Sequence, residues 1–517
     1  MLNRRRFLQA LAALGLASAS ASRAQLNSRP RFAAFPFSLG IASGYPHPSG
    51  FVLWTRLAPV PGAPGGGLAP EVIPVGWQIA RDEGMKDIVA AGIAYASPEW
   101  AHSVHVEVSG LQSARTYWYR FRAGEAQSPT GRTRTAPGAS SAPSRLRFAF
   151  ASCQHYEQGF FNAYAHLAKD APDVVLHLGD YIYESSWGRD LVRKHESPAP
   201  ITLDDYRARY ALYESDPDLQ TAHAVAPWLV TWDDHEVEND YADDRSENLD
   251  PREWFLARRA AAYKAWYEHQ PVPRRMLPFG PHARIYTRAA FGNLVNFFVL
   301  DDRQHRAYQA CPRPGRGGSN TVDIAECAAL FDPQRTMLGA AQEQWLEAGL
   351  AASRARWNVL AQQTMMAQFD QKPGPGRIAW TDGWDGYPAA RTRLLSLVAE
   401  KRIANPVVIS GDVHAFNVAR LKGDFDDADS PVVASEFVGT SITSQARPQE
   451  RLEQYLPDNP HILFADSRYR GYVRVEVTRE RWVADLRAME SVQRRDAACS
   501  TLASFVVENG KPGPLKA

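Results

Sequence analysis

The stretch VVLHLGDYIYE, residues 174–184, carries an apolar run straight into Asp180, Tyr183 and Glu184. Other apolar runs end in the same manner: in Cys153, in Asp233-Asp234-His235-Glu236 with Asn239 just beyond, in Asp301-Asp302-Arg303, and in Asp412-Val413-His414. The mixture is that of a metal site. Carboxylates and a phenolate are hard oxygen donors, imidazole is intermediate, and a thiolate donates strongly to a transition metal. Asp412 and His414 are alternate residues and share a side, while Asp180 and Tyr183 are three apart on a turn, within reach of one ion. Each residue also has a plain reading. Asp180 suits a turn or helix cap, Cys153 a small buried hydrophobe, His235 a hydrogen-bonded core histidine, and Tyr183 simple packing. Convergence of independent strand ends on one edge is what favours a site.

The elements that would place these groups are apolar strands separated by helix-like segments such as FFNAYAHLAKD and AQEQWLEAGLAASRA. Such alternation predicts an α/β layer fold buried on both faces, with its ligand site beyond the carboxyl ends of the strands. Residues 145–517 form this catalytic unit, and the Gly/Pro/Ser-rich stretch 138–144 reads as a linker. Upstream, GFVLWTRL, VIPVGWQIA, HSVHVEVSG and RTYWYRFRAG are short strands without helical periodicity. With Leu111 followed by Tyr117, residues 30–137 look like a fibronectin-III-like β-sandwich with a tyrosine corner.

The 517 residues carry 58 Lys+Arg against 57 Asp+Glu, so nothing in the net charge of +1 calls for nucleic acid or an anionic membrane as partner. The N-terminus has Arg4-Arg5-Arg6-Phe7-Leu8, a modest apolar stretch and Ser22-Arg23-Ala24 before Gln25. That layout, residues 1–24, resembles a twin-arginine export signal, which makes the translocation machinery a partner and the protein periplasmic or secreted. No CxxC occurs among the four cysteines, which argues against zinc ribbons and iron–sulfur ligation. Cys311 and Cys327 could close a disulfide in an oxidising compartment; Cys499 is expected free. No long amphipathic stripe calls for a stable dimer, so a monomer is expected.

The motifs GDYIYE, WDDHEVEND and SGDVHAFN, in this order and spacing, resemble those of the PhoD-type alkaline phosphatases within the metallophosphoesterase superfamily. The resemblance covers nearly the whole chain, the leading sandwich included. It implies a layered β-sheet core flanked by helices. It also implies Fe³⁺ held by Cys153, Asp180, Tyr183 and His414, with Ca²⁺ nearby on carboxylates. Asp180 would bridge metals, Asp234 would be a ligand, and His235 the catalytic histidine. Asp412 stands where the superfamily has the first His of its terminal Gly-His-x-His, and Cys153 where it opens with Asp-x-His. Which ion Asp234, Asn239 and Asp412 each touch stays open.

The expected activity is therefore hydrolysis of phosphate mono- or diesters by metal-activated hydroxide. His235 would protonate the leaving group or bond the phosphate, and Asn239 would contact metal or substrate. Arg303 is either a phosphate clamp, since its planar fork matches phosphate, or the partner of Asp301 or Asp302. A phosphodiesterase or phospholipase D-like hydrolase of lipid or wall polymer would use the same residues. An exported metal-containing redox protein is the remaining reading.

Overall fold

The computed structural model describes residues 24–517; all but the last residue of the export-like segment lies outside the described residues. The catalytic part is built on two large sheets packed face to face. One has ten strands and the other seven. In the first, Arg145–Ala151, Val174–Leu178 and Pro227–Thr231 run parallel. In the second, Val295–Val299, Trp357–Ala361, Pro406–Ser410 and Val432–Val438 run parallel. The expected strands ending near Cys153, Asp180, Asp233, Asp301 and Asp412 are all among them. Each is mainly apolar because both its faces are covered. Phe148, Phe150, Val473, Phe297, Val359 and Ile409 fill the space between the sheets. The Phe148 ring meets Phe297 edge-on at 5.2 Å and Trp482 at 5.3 Å. Truncating such a buried ring costs about 3–5 kcal/mol, so the sheets hold each other rigidly.

Helices cover the outer faces. Helix Leu203–Glu214 begins with a capping box, Thr202 accepting from the Asp205 N–H while the Asp205 carboxylate accepts from the Thr202 N–H. It carries Tyr206, Tyr210 and Tyr213 inward. The Tyr213 hydroxyl accepts from the backbone N–H of Tyr183 at 3.0 Å, which ties this helix to the site loop. On the other face, Leu346, Leu350, Leu394 and Leu395 of helices Ala340–Ala351 and Pro388–Glu400 pack on Phe298, Leu360 and Val408.

The N-terminal region also forms two layers with a shared core that includes Phe51, Leu53, Val75, Ile79, Val106, Tyr119 and Phe121. The Tyr117 hydroxyl accepts from the Gln112 N–H at 3.0 Å. One of these layers does not end at the linker. Strands Ile41–His47, Gly50–Arg56 and Ser103–Val108 complete the ten-stranded sheet, joined by parallel pairing of Ser43 with Pro227 and Gly44 with Trp228. The leading region thus extends the catalytic sheet and stiffens the strand that delivers Asp233 and Asp234. Four strands that the sequence reading passed over, from Gly471–Thr478 to Lys511–Lys516, complete its opposite edge.

Candidate metal centre

The carboxyl ends of both sheets meet. Gln363 donates from its side-chain amide to the Thr231 hydroxyl at 2.7 Å and the Leu300 carbonyl at 3.0 Å, bridging a strand end of each sheet. The Ser152 carbonyl accepts from the Ile442 N–H at 2.9 Å. Strand ends brought together this way turn abruptly. Cys153, Asp180, Asp412 and His414 all hold positive φ, at 59°, 56°, 64° and 57°. Non-glycine residues adopt this region at a cost of order 1–3 kcal/mol, and such residues cluster at functional sites. Glu236 fixes two of the turns. Its carboxylate accepts from the N–H groups of Tyr181 at 2.7 Å, Asp233 at 2.8 Å and Asp180 at 3.1 Å. Trp232 anchors the second turn by stacking on Tyr263 at 4.0 Å and donating to Asp301 at 3.2 Å.

Cys153, Asp180 and His414 offer ligand atoms that lie within 4.8 Å of one another. Tyr183 completes the group: its hydroxyl donates to Asp180 Oδ2 at 2.8 Å and stands 3.1 Å from His414 Nε2. His414 Nδ1 faces the Gln445 carbonyl at 2.7 Å, which can only accept, so Nδ1 carries the proton and Nε2 keeps its lone pair. Burial lowers the His414 pKa to about 3, keeping the ring neutral as a ligand needs. Asp180 and Asp234 join His235 in a second cluster, and Asp234, Asp240 and Asp382 make a third. Asn239 lines the cleft beside them.

Arg303 is fully buried and not part of the cleft wall. It bonds Asp233 through Nε and Asp382 through a terminal nitrogen at 2.6 Å, with its other terminal nitrogen 3.5 Å from Asp234 and 3.7 Å from Asp412. Neither Asp301 nor Asp302 is its partner in an ion pair. Arg303 therefore balances and orients the acids from behind.

The donor set fits cations. Asp180 Oδ1, Asp234 Oδ1 and Asp412 Oδ2 are buried with no hydrogen-bond partner. Burial and neighbouring acids push the Asp180 and Asp412 pKa values well up, and burial and the Asp180 charge do the same to the Cys153 thiol. An uncompensated buried charge costs several kcal/mol, and a multivalent ion reverses that balance, deprotonating the thiol outright. Oxygen-only ligation in the Asp234, Asp240 and Asp382 cluster suits a hard divalent ion.

His235 is held by Glu184, with Nδ1 2.6 Å from Oε2. Burial opposes protonation, yet the Glu184, Asp180 and Asp234 carboxylates drive the His235 pKa well above its ordinary value. Glu184 in turn is held at about 2, against the effect of burial, by His235 and Arg258. Glu184, Asp240 and Asp382 escaped the sequence reading as site residues. The first two lie in the quoted motifs; Asp382 follows the strand Ile378–Trp380, whose three residues are too few to read as an apolar run.

Asp180, Glu184, Asp234, His235, Asp412 and His414 face one cleft of about 790 Å³, walled also by Trp187, Trp380, Arg258, Arg316 and Arg447. Trp187 stacks on His414 with ring centroids 6.0 Å apart. The wall carrying Arg316 belongs to the loop closed by a disulfide between Cys311 and Cys327. Cys499 is free.

Comparison with known proteins shows which family the chain resembles along its length. Residues 148–486 match the family model described as PhoD-like phosphatase. Residues 20–137 match that of the PhoD-like phosphatase, N-terminal domain. The chain is 45% identical over 530 residues to alkaline phosphatase D of Bacillus subtilis (strain 168), covering 99% of this chain and 89% of that protein. A solved structure of PhoD superimposes with a TM-score of 0.90 at 46% identity, covering 94% of this chain and 93% of the other.

Proposed function

The chain belongs to the PhoD-like phosphatase family and is a phosphoric ester hydrolase; from that premise we propose that it is an exported, metal-dependent phosphatase whose reaction takes place at the strand-end cluster. The observation that supports this most directly is the set of buried oxygens of Asp180, Asp234 and Asp412 that accept no hydrogen bond, on residues that line one cleft. Cys153, Asp180, Tyr183 and His414 would hold Fe³⁺, three anionic donors and a neutral imidazole suited to a trivalent charge, while Asp234, Asn239 and Asp412 would hold Ca²⁺. Such ions, when bound, supply a nucleophile at neutral pH and draw charge from the phosphoryl oxygens.

The chain's own groups do the rest. His235, protonated at both ring nitrogens and anchored at Nδ1 by Glu184, offers the Nε2 proton to the departing ester oxygen. Such a general acid typically contributes ~10²–10⁴-fold. Arg303 holds Asp233 in place from behind the cleft, with a terminal nitrogen beside Asp234 and Asp412. Trp187 packs on His414 and limits its ring to one plane.

A cleft of about 790 Å³ is far larger than a phosphate group and accommodates a substantial ester arm. That size supports activity on phosphodiesters, including lipid or wall-polymer ones, beside monoesters. Among the described residues no helix is long and apolar enough to cross a membrane. Export by the twin-arginine route rests on residues 4–8, and a monomer on the sequence showing no long amphipathic stripe that would call for a stable dimer.

The test is elemental analysis of the mature protein together with hydrolysis of a chromogenic phosphomonoester and its diester, repeated after chelation and in Cys153→Ala. Iron and calcium should be found, and hydrolysis should be lost on chelation and in the variant. A metal-free protein that cuts either ester at full rate would overturn the assignment of this centre.

A further inference from the structure

The arginines at the cleft differ in what balances them. Arg258 pairs with Glu238 at 2.9 Å and Arg316 with Glu247, while Arg303 is caged behind the wall by Asp233 and Asp382. Arg447 is the exception. It is half-buried in the wall, and its hydrogen bond goes to a neutral group, the Gln371 side-chain oxygen, at 3.2 Å from one terminal nitrogen. No carboxylate of the described residues forms an ion pair with it. A guanidinium taken partly out of water with no carboxylate at ion-pair distance is incompletely balanced, since only the Asp412 charge beyond that distance supports it, and such a group at the mouth of the site is open to an anion that comes and goes.

The chain around Arg447 is also tied to the metal-ligand candidates. Three residues before it, the Ser444 hydroxyl oxygen lies 2.9 Å from the Tyr183 hydroxyl and 2.8 Å from the Cys153 carbonyl. Two residues before it, the Gln445 carbonyl accepts the His414 Nδ1–H. Arg447 is thus delivered by the same short segment that positions Tyr183 and His414, and it lines the cleft together with Asp180, Asp234, His235 and Asp412. It faces the space that Arg303 cannot reach.

We infer that Arg447 is the residue that receives the phosphoryl oxygens of the substrate, through the guanidinium nitrogens that Gln371 leaves free. The inference rests on the phosphate-ester reading above and deepens it. An Arg fork can meet two phosphate oxygens at once, and a charge-assisted pair of this kind is among the stronger hydrogen-bonded contacts. The Gln371 bond fixes one edge of the plane, so the other edge is presented in a set orientation.

The experiment measures binding of inorganic phosphate by calorimetry, and its competitive inhibition of ester hydrolysis, with metal-loaded wild type, Arg447→Lys and Arg447→Ala. Metal content and thermal midpoint are recorded for each. Arg447→Ala should weaken phosphate about tenfold to a hundredfold, the range expected for losing a charged hydrogen-bond pair, with metal content unchanged. Arg447→Lys keeps the charge but not the fork and should weaken it by about threefold or more. Phosphate affinity unchanged in Arg447→Lys, and in Arg447→Ala wherever that variant keeps its metals, would overturn the inference. Should wild type cut neither ester, the hydrolase assignment of this site falls by that result alone. Calorimetry would still judge Arg447, since loss of phosphate binding in the variants does not depend on turnover.

Discussion

His235 Nδ1 lies 2.6 Å from Glu184 Oε2, and both side chains are buried at the wall of the cleft. The same carboxylate accepts the Asn239 N–H at 3.1 Å, so it orients a second residue of the site as well. Although burial disfavours the imidazolium, Glu184 and its acidic neighbours hold the His235 pKa well above the ordinary value. Glu184→Gln removes that support, so His235 loses its proton at lower pH. The alkaline limb of the kcat profile should move toward acid, and kcat should fall about tenfold to a hundredfold, as when partners that orient a site residue are lost. A profile that keeps its alkaline limb would show that His235 does not act as the acid.

Three buried acids of the metal-free protein should each withdraw stability as pH rises. Burial, with neighbouring acids, raises Asp233 to about 6 and Asp240 and Asp302 to about 7, against about 4 for an unperturbed Asp. Between those values the folded state binds more protons than the unfolded one, so stability falls with increasing pH. The contribution of these acids, read as the difference in thermal midpoint between the chelated protein and its Asp240→Asn and Asp302→Asn variants, should therefore fall between about pH 4 and pH 7. The loaded protein should show a smaller drop, because bound cations offset the same charges. Asp412→Asn should raise the midpoint of the chelated protein and lower that of the loaded one. Equal effects in both states would mean that Asp412 does not serve a cation.

Gly179 is the hinge of the GDYIYE turn. Its φ is +105°, and an added Cβ would stand 2.4 Å from the Asp233 Cβ. Gly179→Ala must push apart the two turns that Glu236 ties together, costing about 1–3 kcal/mol from backbone strain alone. Denaturant midpoints should fall and bound metal should fall with them. Full metal content in this variant would mean the turns can separate without disturbing Asp180.

The ligand candidates were legible in the sequence because each ends an apolar strand, and the strand's own burial makes a terminal Asp, Cys or His conspicuous. Roles set by distant residues were not. Arg303 reads locally as a neighbour of Asp301 and Asp302, but its ion-pair partners Asp233 and Asp382 come from elsewhere in the chain. Arg447 lies in a loop without a strand pattern, so nothing in sequence distinguishes it from other surface arginines. The continuation of the catalytic sheet through Ser43 and Pro227 is equally silent, since parallel pairing across so many residues leaves no local signature. The strand Trp357–Ala361 and the C-terminal hairpins were passed over because they end in no chemically conspicuous residue.

The disulfide between Cys311 and Cys327 joins residues 16 apart in sequence and closes a loop that reaches the centre itself. From this loop the Ser319 N–H donates to Asp240 Oδ2 at 2.9 Å, and the Gly317 N–H donates to the Glu247 carbonyl at 2.8 Å. Closing a loop of this length is worth about 3 kcal/mol in the chain-entropy account. The paired change Cys311→Ser with Cys327→Ser should cost roughly that much stability. The second effect follows from Asp240. Burial and the Asp382 and Asp234 charges already raise its pKa to about 7, with Ser319 opposing them. A loosened loop withdraws the Ser319 N–H, and Asp240 becomes harder to ionise. Since Asp240 shares a cluster with Asp234 and Asp382, calcium should bind more weakly to the variant near neutral pH and recover as the pH is raised. Calcium titrations of the chelated protein at two pH values separate these effects. A stability loss with an unchanged calcium curve would make the disulfide a fastener of the loop alone, with no hold on the acids beneath it.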